Sequence, residues 1–364
     1  MKSNSYLHLF LGIGLLCFYS PSRGTEPVND TATTELSQTF FKPKRGIDFF
    51  GSEEALQMSL YFNIREFLKT KEKPEYYKAT LTVKLNENDS ITQTIKIKAR
   101  GAMRRNYCSF PPIMLKFDNK DPEAERIIQD RGKLKLVTHC DPGKMFENYV
   151  IREYLAYKMY NLVTPYSFRT RLVRINYVDT QGSGKSYTRY GFLIEDLNDM
   201  SARNNSVATR LWNLNQKSMI TQEMARVALF NYMIGNADWS ITSQHNVKVL
   251  KSIGVPSEKA IPVVYDFDYS GLVNTIYAIP VDGIPTESVV ERYYTGMCFQ
   301  EEELYPVIEE FGELKDQILG TINNFEYLSD KDKKWPEHYI NDFYKMYNHP
   351  KDIIYQMNQT CKQF

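Results

Sequence analysis

Residues 76–100 read YYKATLTVKLNENDSITQTIKIKAR. Apolar and polar side chains alternate on both sides of Asn86, Asn88 and Asp89, residue types that favour tight turns, so the stretch predicts a β-hairpin. Two short apolar runs follow, PPIMLKFD at 111–118 and KLKLVTH at 133–139, and each predicts a further strand. Residues 169–196, RTRLVRINYVDTQGSGKSYTRYGFLIED, repeat the hairpin pattern across a Gly-Ser-Gly turn. Between these runs, MFENYVIREYLAYKMYNL at 145–162 sets Val150, Tyr154, Leu155, Met159 and Leu162 at three- and four-residue intervals, the period of an amphipathic helix.

Beyond residue 200 the pattern turns helical. TQEMARVALFNYMIGN at 221–236 opens at Thr221, a predicted N-cap, with Glu223 in the first turn, and the segment from Ser288 to the end also reads as helix. A β-rich half with one inserted helix, followed by a mainly helical half, predicts an α+β, bilobal protein-kinase-like fold. The N-lobe is expected at about 46–195 and the C-lobe at about 196–364, with no internal repeat.

The chain has 364 residues, 42% apolar and 24% charged, enough to bury a substantial core. Lysine and arginine number 45 against 44 acids, so no global field draws the protein to nucleic acid or to an anionic membrane. Any phosphate site must be local. At the start, Lys2 precedes the apolar run Leu9 to Phe18 and then Ser20, Pro21, Ser22 and Gly24, the pattern of a secretory signal peptide over 1–24. That run is too short to span a bilayer, which takes about 20 helical residues, so no stable membrane span is expected. Leu16 precedes Cys17 where a lipobox needs a small side chain, which argues against a lipid anchor there. Residues 25–45 are polar and aperiodic, as in a flexible linker.

Export to the periplasm, cell surface or medium would leave Cys108, Cys140, Cys298 and Cys361 in an oxidising compartment, an even number that allows one or two disulfides of open pairing. No C-x-x-C spacing is present and His139 stands alone beside Cys140, so a structural zinc site has no support.

The polar residues that carry chemistry lie in LFNYMIGNADWSITSQHNVKVLKS at 229–252 and AIPVVYDFDYSG at 260–271. An apolar helix ends at Gly235, then come Asp238 and, eight positions later, Asn246. The strand-like VKVL follows, and a second apolar run delivers Asp266 and Asp268. Adjacent strands would bring these loops together. Phosphoryl transfer uses one carboxylate to orient or deprotonate the attacking hydroxyl, and oxygen ligands to hold magnesium against the nucleotide phosphates. Asp238 suits the first role, and Asn246 and Asp266 the second, with Asp268 as a further ligand or support.

Several segments, taken in order, resemble the spore coat protein H (CotH) kinases, an atypical protein-kinase-like family. IKARGAMRRNYCSFPPIMLKFD resembles that family's Arg-Gly segment and basic strand, and ENYVIREYLAYKMYNLVTPYSFRTRLVRINY its arginine-bearing helix and next strand. YGFLIEDLN resembles its hinge, GNADWSITSQHN its asparagine-aspartate turn, and YDFD its aromatic-Asp-Phe-Asp segment. The resemblance spans about residues 80–275 and implies transfer of the γ-phosphate of ATP to Ser or Thr of secreted or surface proteins, with Mg2+ or Mn2+ as cofactor. It implies Asp238 as catalytic aspartate and Asn246 and Asp266 as metal ligands, and it puts Glu195 at the nucleotide.

For the nucleotide cation, Lys116 on the third strand is the leading candidate, with Lys135 and Arg100 as competitors. Glu147 or Glu153 would position it from the helix. No G-x-G-x-x-G loop is present, so Gly101, set between Arg100 and the pair Arg104 and Arg105, is a candidate phosphate grip, as well as an ordinary solvated turn. GSGKS at 182–186 lacks the first Walker glycine and sits between two strands, so it reads as a hairpin tip. His245 has no partner nucleophile at triad spacing and reads as structural, and Tyr187 and Tyr190 as core aromatics. Two other readings stand beside a kinase: a non-catalytic kinase-like surface or polysaccharide-binding module, and a glycosidase using Asp238 with Asp266 or Asp268.

Overall fold

Alternating apolar residues fold the first half of the chain into strands. The structure, a computed structural model, describes residues 44–121, 124–181, 186–254, 257–347 and 350–363. The signal peptide expected at 1–24 lies outside them, as do all but the end of the 25–45 linker and most of the 182–186 tip. In chain order come β1 (Leu56–Phe62), α1 (Ile64–Lys69), β2 (Tyr77–Asn86), β3 (Asp89–Ala99), α2 (Met103–Tyr107), β4 (Ile113–Asp118), β5 (Arg131–Val137), α3 (Lys144–Val163), β6 (Thr170–Asp179) and β7 (Ser186–Ile194). The second half runs α4 (Leu197–Arg203), β8 (Ser206–Thr209), α5 (Thr221–Ile234), β9 (Val247–Ser252), β10 (Ile261–Val264), α6 (Glu301–Glu313), α7 (Lys315–Asn323), α8 (Asp330–Tyr347) and α9 (Pro350–Thr360).

The hairpins expected at 76–100 and 169–196 are β2–β3 and β6–β7, and the inserted helix is α3. What they build differs from the bilobal kinase-like fold expected. Strands β1 to β7 form a closed barrel in the order β1-β2-β3-β4-β5-β7-β6. The closing contact is the one parallel pair among them, β1 with β6, in register from Leu56 and Val173 to Phe62 and Asp179. That closed ring replaces the bilobal kinase-like architecture expected, and the described residues form a single compact unit. The half expected to be mainly helical also holds a separate three-stranded sheet, β10-β9-β8.

Every second residue of the barrel strands points inward, and Leu60, Leu81, Val83, Ile97, Ile113, Leu115, Leu136 and Ile175 are all fully buried there. Burying a side chain of this kind stabilises by roughly 1.5–3 kcal/mol. A one-residue slip in any strand would turn this set outward, so the register is fixed by the core. On the outside of β6 and β7 lies α3, whose Tyr154 and Tyr157 pack on Phe192. A second core continues from there through α5, β9, β10 and the C-terminal helices. Helix α5 begins at Thr221, with Ile220 at the cap position and no side-chain cap, so Thr221 is the first helical residue.

Disulfides join Cys108 to Cys140 and Cys298 to Cys361, which fits an extracellular protein. No helix among the described residues is long and apolar enough to cross a membrane.

Candidate functional site

Helix α5 stops at Gly235, which adopts the left-handed conformation with φ 64°. A Cβ there would overlap the Tyr339 hydroxyl, so glycine is required for space as well as for backbone. The next turn is held from inside. Buried Asn236 donates from Nδ2 to Asn231 Oδ1 at 2.8 Å, and its Oδ1 accepts the Asp238 N–H at 3.1 Å. Asp238 is thereby presented at the mouth of the loop that leads to β9.

That loop closes on itself through the reciprocal Ser240 and His245 backbone bonds, both 3.0 Å. Asn246 then enters β9 with φ 50°, and Asp266 leaves β10 with φ 68°. Because β9 and β10 are antiparallel neighbours, with Val247 opposite Val264, these two residues come off adjacent strand ends. The Tyr265 N–H donates to the Asn246 carbonyl at 3.0 Å, and the Asp266 N–H to the Tyr157 hydroxyl on α3 at 2.9 Å. Asn246 Nδ2 donates to both the carbonyl (2.9 Å) and Oδ2 (3.0 Å) of Asp238. Asn246 and Asp238 are therefore tied directly, and Asp266 follows the Tyr265 that is bonded to Asn246. Left-handed backbone at two polar residues costs of order 1–3 kcal/mol each and is held by its surroundings.

His245, expected to be structural, places its Nε2 2.8 Å from Asp238 Oδ1. Nothing in the sequence marked this pair, since the contact depends on the turn between Ser240 and His245.

Behind the loop ends is a buried charge cluster. Arg104 Nη1 lies 3.2 Å from Glu153 Oε2 on α3 and 3.8 Å from Asp268 Oδ2, and Nη2 donates to the Thr138 carbonyl at 2.8 Å. The Tyr277 hydroxyl donates to Asp268 at 3.1 Å. Burial, then Asp266, pushes the Asp268 carboxyl up to about 7, with Arg104 and the Tyr277 bond opposing. Burial, then Asp268, holds Glu153 well above the usual carboxylate range. Burial works against the charge of Arg104, but Tyr277, Glu153, Asp268 and Asp266 outweigh it and the guanidinium pKa rises. One buried cation is thus shared by two carboxyls, and Glu153 Oε1 has no hydrogen-bond partner. Arg104, expected either to grip phosphate or to lie in a solvated turn, is a buried residue.

Of the three cation candidates, Lys135 and Arg100 lie with this group. Burial, then Arg100, pushes the Lys135 ammonium down to about 8, with Asp266 pulling the other way and Lys248 adding to the fall. Lys135 and Lys248 each sit 5.0 Å from the Tyr265 ring centroid. Lys116 lies elsewhere, 5.5 Å from the Tyr76 ring and sharing it with Lys98. Gly101 has φ 88°, and a Cβ there would meet the Arg104 Cβ at 3.8 Å, an ordinary contact, so its backbone and not space favours glycine.

The Glu195 carboxylate is buried and committed to Arg169 and Arg203 at 2.8 and 3.0 Å, and its N–H donates to the Arg169 carbonyl at 3.0 Å, so only its own carbonyl is left for a ligand. Glu147 accepts the Tyr190 N–H at 2.8 Å and docks α3 on β7, which leaves Glu153 as the helix carboxyl facing Asp266 and Asp268. Tyr187 packs with Phe110, His139 and Tyr177, and Tyr190 packs on Tyr327.

No group of three or more His, Cys, Asp or Glu suited to a metal ion exists among the described residues. Two hard oxygen donors are nevertheless uncommitted. The Asp266 carboxylate accepts no hydrogen bond from the described residues, and Asn246 Oδ1 is left over because Nδ2 serves Asp238. Two protein oxygens suit magnesium or manganese, which keep water and phosphate oxygens in the remaining positions.

No family model matches the chain, and no curated protein matches it. Among solved structures it is similar to the crystal structure of a proinflammatory kinase of Helicobacter pylori, CtkA, at 12% identity and a TM-score of 0.35, over 67% of this chain and 91% of that one. A superposition at that level does not establish a shared fold, and no residue role is taken from it.

Proposed function

We propose that this chain is a metal-dependent phosphotransferase that moves the γ-phosphate of ATP to a hydroxyl. The observation that carries this reading is the convergence of Asp238, Asn246 and Asp266 at adjoining loop ends, with the lowered-pKa Lys135 within the field of Asp266. In the transfer, the acceptor oxygen bonds to the γ-phosphorus as the bond to the β–γ bridging oxygen breaks, and ADP leaves. Asp238 accepts the hydroxyl proton, and His245 at 2.8 Å orients its carboxylate. Lys135, with Arg100 and Lys248 beside it, attracts the phosphates, and Lys135 rather than Lys116 is the lysine assigned. Asn246 and Asp266 would hold Mg2+ or Mn2+, which screens phosphate charge when bound. Asp268 supports the site through Arg104 and Tyr277.

The acceptor proposed is Ser or Thr of secreted or surface proteins, as the resemblance to the spore coat protein H kinases implies. Two disulfides support an oxidising location. The test is incubation with γ-labelled ATP and manganese. Asp238→Asn should lose ~10²–10⁴-fold in transfer while metal-ATP still raises its melting temperature. Asp266→Asn should lose both responses. Full transfer by Asp238→Asn, or a wild-type protein that metal-ATP does not stabilise, refutes the proposal.

A further inference from the structure

Helix α3 has a second functional face. Glu153 and Tyr157 face the loop ends described above, whereas Tyr154, Leu155 and Lys158 line a separate cleft of about 390 Å³. Its other walls are the segment before β1, with Glu53 and Glu54, and the end of α7 with Phe325, Glu326 and Tyr327. Phe325 and Tyr327 form an aromatic wall, their rings 5.4 Å apart, backed by the buried Tyr154 ring 5.9 Å from Phe325.

The charge on the rim is unbalanced. Glu53 is matched by Lys158 at 2.6 Å. The exposed carboxylates of Glu54 and Glu326 form no hydrogen bond or ion pair with any described residue, so the cleft carries two uncompensated negative charges beside its aromatic wall. Its volume lies within the range of small-molecule sites. Aromatic faces attract cations, most strongly those with thin hydration shells such as quaternary ammonium and guanidinium groups, while unpaired carboxylates repel anions.

We propose that this cleft binds a small organic cation with an apolar body, the head group seated against Phe325 and Tyr327 and held by Glu54 and Glu326. The site is independent of phosphate transfer and excludes nucleotides by its charge.

Calorimetric titration of the whole protein tests this with three probes: choline, argininamide, and 3,3-dimethylbutan-1-ol, which has the shape of choline without its charge. At least one cation should bind at least ~10-fold more tightly than the alcohol, and which of them does so identifies the head group as quaternary ammonium or guanidinium. The double variant Glu54→Gln, Glu326→Gln changes exposed residues and should fold normally, yet bind that cation ~10-fold more weakly. Three results would overturn the proposal: neither cation binding with a Kd below ~10 mM, the alcohol binding equally well, or unchanged affinity in the double variant.

Discussion

Replacing Arg104 with methionine keeps an unbranched apolar stem and removes the one cation between Glu153 and Asp268. At an effective dielectric constant of about 20, unit charges at the observed 3.2 and 3.8 Å attract by ~5 and ~4 kcal/mol. Much of this is offset, because the guanidinium no longer has to be stripped of water and Asp268 is only partly ionised near neutrality. Breaking a buried pair from one side typically costs ~3–5 kcal/mol, and that is the expected loss at pH 8. The sign of its pH dependence follows from the carboxyls. Both already titrate above their unfolded values, so their ionised forms disfavour the folded state and stability falls as pH rises, for Asp268 through about 7. Without Arg104 their folded pKa values rise further, so the penalty should be largest at pH 8 and shrink by pH 5. Urea denaturation of parent and variant at pH 5, 6.5 and 8 measures it, and Arg104→Met combined with Glu153→Leu should recover part of the loss. A cost below ~1 kcal/mol at pH 8, or one that does not vary with pH, would refute the assignment of Arg104 as a shared buried counter-ion.

Lys135→Arg should remove an ionisation near pH 8 from the pH profile of kcat/KM for ATP, because the parent loses its ammonium charge as pH rises through about 8 and arginine does not. An identical profile in the variant would show that Lys135 does not serve the nucleotide. Gly235→Ala should cost well over ~1 kcal/mol in a denaturation assay, since it strains a left-handed residue and displaces Tyr339. A neutral result would mean that the α5 end can rearrange. Cys108→Ser with Cys140→Ser should destabilise by ~2–5 kcal/mol and lower any transfer activity in parallel, because that bridge anchors the segment bearing Arg104. Activity kept in full would separate the bridge from the site.

Much of the candidate site was legible in the sequence, because its parts sit at the ends of two strands that are neighbours in the chain. Asn246 and Asp266 flank β9 and β10, and an apolar helix ending in glycine signalled the turn to Asp238. Arg104 and Lys135 were harder to place. The partner of Arg104 lies on α3, 49 residues away, and a cluster of basic residues reads as solvated until that carboxylate is seen. Lys116 and Lys135 both occupy outward positions on paired strands β4 and β5, and only packing outside the barrel separates them. The fold class failed for a related reason. LQMSLYF has the alternation of a strand, but parallel pairing uses no local turn, so nothing near it announced a partner on β6.

The β1–β6 seam also sets an order of events during synthesis. Because β7 joins β5 to β6, the ring is complete only when residue 194 is available; until then its end strands expose unpaired backbone to other chains, and hydrophobic segments at open edges are what intermolecular pairing recruits. Fragments ending before β7 should therefore collect in insoluble material, whereas chains long enough to complete the ring leave the barrel no edge to extend.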